Sequence, residues 1–289
     1  MKKWAKNTKR DHIIVEHNDE SGSIDEQAYM KKLNSDVRVV SIVHTSPVTG
    51  MTVDLEKITK EVRNVTPDCI IIVDGIQHSS HGAIDVQKYD IDGYVVSPYK
   101  MFSRHGYGVA WASDRLCTLN KEQLADGPFQ NWELGTRDAG SYATFSDVVD
   151  YLDWLGSNFT ESENTRERLE ASSIAIKSHE QELVDLVING AEDIVGLRNI
   201  KKIRIIGNSA STSREGVVSF FHKNKPSSII VEELRQRKIR VHIRKDDHYC
   251  GNILRPLNQK DCIRFSICHY NSKAEVVEFM KAINEISTN

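Results

Sequence analysis

Three short segments constrain the fold most: the apolar run VRVVSIV at residues 37–43, DLEKITKEVRN at 54–64, and CIIIV at 69–73. The first and third are rich in β-branched residues, as buried strands are. Between them, Leu55, Ile58 and Val62 fall on one face at helical spacing. This strand-helix-strand unit predicts an α/β sheet with a substantial parallel component, and in such sheets ligands collect beyond the carboxyl ends of the strands. Residues 94–96 and 108–112 add two predicted strands that bracket the segment SPYKMFSRHGY.

Beyond Phe145 the pattern turns helical, through SDVVDYLDWL and across the charged stretch 161–195. Strands are then expected at 203–206, 217–221 and 239–243, with a helix at 227–237 and a closing helix at 274–286. A domain change is placed near Gly156 and Ser157, giving a larger domain over 1–156 and a smaller α/β domain over 157–289. A chain of 289 residues has room for both.

The formal net charge is -3 and the basic residues are scattered, so a nucleic-acid partner is not expected. No apolar run approaches the roughly 20 residues that span a bilayer, and no apolar core follows the basic start, so a cytoplasmic protein without a membrane partner is expected. The five cysteines form no Cys-x-x-Cys pair, and neither a disulfide framework nor a structural metal site is predicted.

Two constellations carry candidate chemistry. Asp74-Gly75-Ile76-Gln77 closes the CIIIV strand, where a carboxylate serves either as a turn cap or as a site residue. Ser97-Pro98-Tyr99-Lys100 follows the strand YVV. A loop lysine is ordinarily solvated, but one set among Tyr, Phe and Gly between buried strands can lose its proton and act as an amine nucleophile. Lys100 follows Asp74 by 26 residues, enough for one crossover and the next strand.

Together these motifs resemble the class V aminotransferase and cysteine desulfurase superfamily of fold-type I pyridoxal-phosphate enzymes, over nearly the whole chain. The resemblance implies a fold-type I large-domain sheet, incomplete at its N-terminus, plus a smaller C-terminal α/β domain. It implies that Lys100 forms the Schiff base with pyridoxal 5'-phosphate and later shuttles the α-proton. Asp74 would keep the pyridinium nitrogen protonated. Gln77 would bond the cofactor's phenolic oxygen, and Ser97 and Tyr99 its phosphate. The loop Trp132-Glu133-Leu134-Gly135-Thr136 is similar to one whose Thr reaches the partner subunit's cofactor, so Thr136 implies a homodimer; read without the resemblance, it is an ordinary Gly turn. Arg264, in CIRFS before His269-Tyr270-Asn271, would hold the α-carboxylate of an amino-acid substrate, a task suited to the guanidinium fork. Cys250 falls on the desulfurase cysteine that attacks the substrate sulfur; its other reading is a buried small apolar residue.

The sequence departs from the family pattern in three places. Pro47 stands where desulfurases have an Asn that bonds the cofactor. Around Cys250 the family's Arg-x-Gly is out of register, with Arg244 one residue too early. The family's Gly/Thr-rich phosphate cradle and stacking His have no visible counterpart, although His12, His17, His78 and His81 are available. Three expectations follow: an amino-acid enzyme, most specifically desulfurase-like; a split or non-catalytic chain completed by a partner segment; and a plain α/β binding protein with a surface Lys100.

Overall fold

Two four-stranded sheets organise the computed structural model, which describes every residue of 1–289 except 20, 21, 23, 25, 129, 130, 137, 192, 209 and 289. In the first sheet, β1 (Val39–Val43), β2 (Ile70–Asp74), β3 (Gly93–Val96) and β4 (Val109–Ala112) lie in chain order. The first three run parallel, and β4 returns antiparallel to β3. Helix α1 (Leu55–Val65) makes the first crossover. The Asp54 carboxylate accepts the Lys57 N–H at 3.1 Å, satisfying a donor that the first turn leaves open. Leu55, Ile58 and Val62 are buried with Ile42, Ile71 and Val73, so the predicted helical stripe is the core face.

A buried carboxylate locks the far edge of this sheet. Asp92 accepts from Arg63, at 2.9 Å, from Arg115, at 2.8 Å, and from the Ile71 N–H, at 2.8 Å. Burial alone would raise its pKa, but these donors outweigh it and hold the carboxyl below its usual range.

Helix α2 (Ala139–Gly156) begins before the predicted Phe145, because Asp138 caps it by accepting the Ser141 N–H. Helix α3 (Thr165–Asn189) stops short of the expected 195 at Gly190, whose φ of +83° opens a short hairpin, Gly190–Ala191 with Ile194–Val195.

The second sheet is antiparallel throughout. It contains β5 (Ile203–Ile206), β6 (Val217–His222), β7 (His242–Lys245) and β8 (Asp261–Ser266) in the order β5-β6-β8-β7. Helices α4 (Ser227–Gln236) and α5 (Lys273–Thr288) cover one face, where Phe220, Ile263, Leu234 and Phe279 are buried. The strand expected at 239–243 begins instead at His242. Lys238 is left-handed, with φ 62°, and the Ile239 N–H returns to the Leu234 carbonyl, so these residues terminate α4.

The other face of the second sheet meets the segment that follows β1. Ser219 Oγ donates to the Val48 carbonyl, and Val48 packs with Ile206, Phe221, Cys250 and Cys262. Gly50 is required here: its φ is +76°, and a Cβ would lie 2.2 Å from the Val217 carbonyl oxygen. Among the described residues no helix is long and apolar enough to cross a membrane.

Candidate active site

Because β1, β2 and β3 are parallel, their carboxyl ends open on one side. His44 follows β1, Asp74 ends β2 and Ser97 follows β3. Asp74 Oδ1 accepts the Ile76 N–H at 3.1 Å, fixing the turn. Gly75 lies against the Tyr94 ring, where a Cβ would come within 2.0 Å, so the Asp-Gly pair reflects this close packing.

Lys100 sits in the 3-10 turn Pro98–Met101, which ends at Phe102 with φ 71°. A left-handed phenylalanine is strained. Its ring is held edge-on to His269, with centroids 4.9 Å apart, and His269 in turn bonds Tyr151 at 2.6 Å. The turn that presents Lys100 is therefore anchored on the C-terminal half of the chain.

Lys100 Nζ donates to Gln77 Oε1 at 2.9 Å and pairs with no carboxylate among the described residues. Burial lowers its pKa, Arg264 adds to the effect, Asp74 opposes it, and Arg244 lowers it further. Gln77 then faces His81, with Nε2 3.1 Å from His81 Nε2, and His81 Nδ1 lies 2.7 Å from Glu180. With the Gln77 carbonyl turned to Lys100, its amide donates to Nε2 of the neutral His81 ring, whose Nδ1–H then donates to Glu180; the Nδ1–H bond to Glu180 is kept when the ring is charged. Burial would lower the His81 pKa, but the hydrogen bond and charge of Glu180, with Glu215, raise it instead. Burial likewise raises Glu180, against the pull of His81.

A second histidine-carboxylate pair lies alongside. His78 Nδ1 is 2.5 Å from Glu215, and its ring stacks on His44 at 3.7 Å. His44 shares a 2.9 Å hydrogen bond with the Tyr94 hydroxyl, and burial together with His78 and Lys177 lowers its pKa to about 2. Both pairs bridge the loop after β2 to C-terminal elements, forming a buried polar seam.

Opposite the seam, Arg264 on β8 donates to the Pro47 carbonyl at 3.0 Å. Pro47 has no side-chain amide, but its carbonyl orients the guanidinium. Among the described residues the Arg264 Nε is buried without a hydrogen-bond partner, and so is that of Arg244 on β7. Burial and the neighbouring Arg244 lower the Arg264 pKa to about 10.

The remaining sequence candidates lie as follows. Cys250 is 2% exposed within the Val48 cluster, and burial raises its thiol pKa although Arg244 opposes this. The Ser97 side chain caps nothing, and Tyr99 is exposed and stacked on His105 at 4.3 Å. Thr136 is exposed, in a loop that also exposes Trp132 and Leu134. Among the described residues no cluster of His, Cys, Asp and Glu is placed to hold a metal ion.

Sequence reasoning missed Glu180 and Glu215. Glu180 carried a signal: on α3 it interrupts the buried stripe Ile176, Leu183, Val184 and Val187, and a carboxylate on an apolar helix face calls for a partner. His78 and His81 were seen only as available histidines.

A lysine lies beyond the parallel strand ends, near a carboxylate and backed by an antiparallel C-terminal sheet with an arginine, in an α/β fold that solved fold-type I structures share. The chain belongs to the class V aminotransferases: residues 3–279 match that family, whose members are pyridoxal-phosphate-dependent enzymes. It is 22% identical over 285 residues to a probable cysteine desulfurase of Treponema pallidum, with 93% of this chain and 63% of the relative covered. It is 26% identical over 286 residues to a cysteine desulfurase of Synechococcus elongatus, covering 93% of this chain and 41% of that one. The fold matches the apo structure of a cysteine desulfurase from Thermococcus onnurineus with a TM-score of 0.79 at 20% identity, over 99% of this chain and 68% of that chain. The chain thus spans 63% and 41% of the lengths of those two curated relatives.

Proposed function

We propose that this chain binds pyridoxal 5'-phosphate through Lys100 and acts on the Cα of an amino acid. The observation that carries the reading is the state of Lys100: an amine at a strand carboxyl end, depressed in pKa, bonded to a neutral amide instead of a carboxylate. An amine so placed is available as a nucleophile.

Lys100, Gln77, Asp74, Ser97 and Tyr99 are gathered at the strand carboxyl ends, a donor set that suits the cofactor. The Arg264 Nε, buried and without a hydrogen-bond partner among the described residues, marks an anion site for the substrate near the amine. Asp74, which makes no ion pair among the described residues, is available to a protonated ring nitrogen. When bound, pyridoxal phosphate supplies an aldehyde for an amine and a ring that accepts the electron pair released at Cα.

In this reading Gln77 turns its carbonyl to Lys100 and keeps one amide N–H for the phenolic oxygen. Lys100 holds the α-proton once its nitrogen is free. Ser97 and Tyr99 offer hydroxyls to the phosphate, and Arg264 grips the α-carboxylate with the donors that Pro47 leaves free. The exposed Trp132, Leu134 and Thr136 suit a loop that meets a second copy of the chain. We also propose the domain division at Gly156, where α2 ends before α3.

Desulfuration needs a thiol that can reach the substrate. Cys250 is packed among Val48, Phe221 and Cys262, which favours a packing role over a persulfide carrier.

The test is addition of pyridoxal phosphate, borohydride reduction and peptide mass spectrometry, with Lys100→Ala alongside. A cofactor adduct on the peptide containing Lys100, and none in the variant, is the expected result. Absence of any specific adduct at saturating cofactor would reject the reading and favour a split or non-catalytic protein that needs a partner segment.

A further inference from the structure

The face of the second sheet that looks toward Lys100 carries two arginines, and the proposed function uses only one. In the antiparallel pairing of β8 with β7, Arg264 lies opposite His242 and Cys262 opposite Arg244. Side chains alternate along a strand, so all four project from one face and Arg244 is the diagonal neighbour of Arg264. Among the described residues the Arg244 side chain makes no hydrogen bond and no ion pair, and its Nε is buried. Two like charges in this register repel, and only an anion relieves both.

We propose that the substrate is an amino acid whose side chain ends in a second carboxylate, bound by Arg244 while Arg264 holds the α-carboxylate. This deepens the function proposed above and rests on its assignment of Arg264. A single carboxylate does not account for the pair. Arg264 spends one N–H on the Pro47 carbonyl and keeps enough of its fork for one carboxylate, whereas Arg244 keeps all five of its donors. Both arginines also act on Lys100, lowering its pKa, so both fields reach the place where the chemistry would occur.

Each well-made, charge-assisted contact contributes about 1.5–3 kcal/mol, which corresponds to roughly 10- to 100-fold in affinity. The experiment compares succinate with propionate on the purified chain by calorimetry, and aspartate with alanine by the change in cofactor absorbance after pyridoxal phosphate is added. Wild type should bind succinate and aspartate at least about tenfold more tightly than the monocarboxylates. Arg244→Gln should bring succinate down to the affinity of propionate and aspartate down to that of alanine, while Arg264→Gln should weaken all four.

Because the Arg244 side chain makes no bond to another described residue, Arg244→Gln should fold with an unchanged or slightly higher Tm without ligand. A variant that fails to fold would itself contradict the unpartnered state on which the inference stands. Equal affinity for succinate and propionate in wild type, or a preference that survives Arg244→Gln, would overturn the inference. These outcomes are separate from the Lys100 adduct: an adduct without acid preference sinks only the substrate class, whereas dicarboxylate binding without an adduct sinks only the cofactor reading.

Discussion

The N-terminal sheet is parallel over three strands and carries its polar residues where those strands end; the C-terminal sheet is antiparallel and backed by a continuous apolar core. In the second sheet β6 is buried along its whole length, with Phe220 and Ile263 on the helix-covered face and Phe265 stacked on Phe279 at 4.1 Å. The first sheet leaves β1 as an edge. Val43 is exposed there, and a groove of about 790 Å³ runs along it, lined by Trp4, Ile13, Ile14 and Val39 and not by Lys100. The difference separates two tasks. The antiparallel sheet supplies a rigid wall that positions the arginines, and the parallel sheet supplies the strand ends at which an amine and a carboxylate are held together.

Predictions that probe this contrast begin with the wall. Phe220→Ala should lower unfolding free energy by about 3–5 kcal/mol in denaturant titration, because the surrounding side chains cannot close the void. If the loss is below about 1 kcal/mol, the C-terminal core is not the stabilising element described here.

A smaller effect is expected at the seam between the sheets. Glu180→Gln removes a buried charged acceptor and should cost about 1–3 kcal/mol. It should also change the pH dependence of stability. The His81 pKa is raised above its usual 6.5, so its contribution is full below that value and is lost as pH rises through the raised one. Glu180 is raised above 4.5, so ionising it in the folded state also subtracts stability as pH rises. Wild-type stability should therefore decline from weakly acidic pH upward, and Glu180→Gln should flatten that slope. An unchanged slope would show that the pair does not titrate with folding.

Smallest is Cys250→Ala, with a stability loss of about 1 kcal/mol, cofactor binding unchanged and amino-acid turnover retained. Loss of turnover with the Lys100 adduct intact would restore the thiol to the chemistry.

Features written in local pattern were legible from the sequence. The β-branched runs at β1 and β2, the stripe of α1 and the Asp74, Gln77 and Lys100 constellation all depend on neighbours within one crossover. What escaped depends on caps and distant partners. Asp138 extends α2 backwards through one side-chain bond, and a left-handed Lys238 moves the start of β7. Glu180 gains its meaning only from His81, 99 residues away. Burial was one of the two readings the sequence allowed for Cys250, but its packing beneath Val48 was not legible, because that contact joins distant parts of the chain.

The seam also bears on how the molecule comes into being. His78 meets Glu215 across 137 residues, whereas the β2–β3 and β7–β8 pairings and the α1 turn close much shorter loops. Contacts of high sequence separation carry the largest loop-closure entropy, so they are favoured only once the sheets exist to hold their ends. Both sheets should therefore be present before Lys100 reaches its final environment. On refolding from denaturant, recovery of far-ultraviolet circular dichroism should precede recovery of the depressed Lys100 acidity, read by pulsed amine labelling; simultaneous recovery would mean that the seam forms together with the sheets.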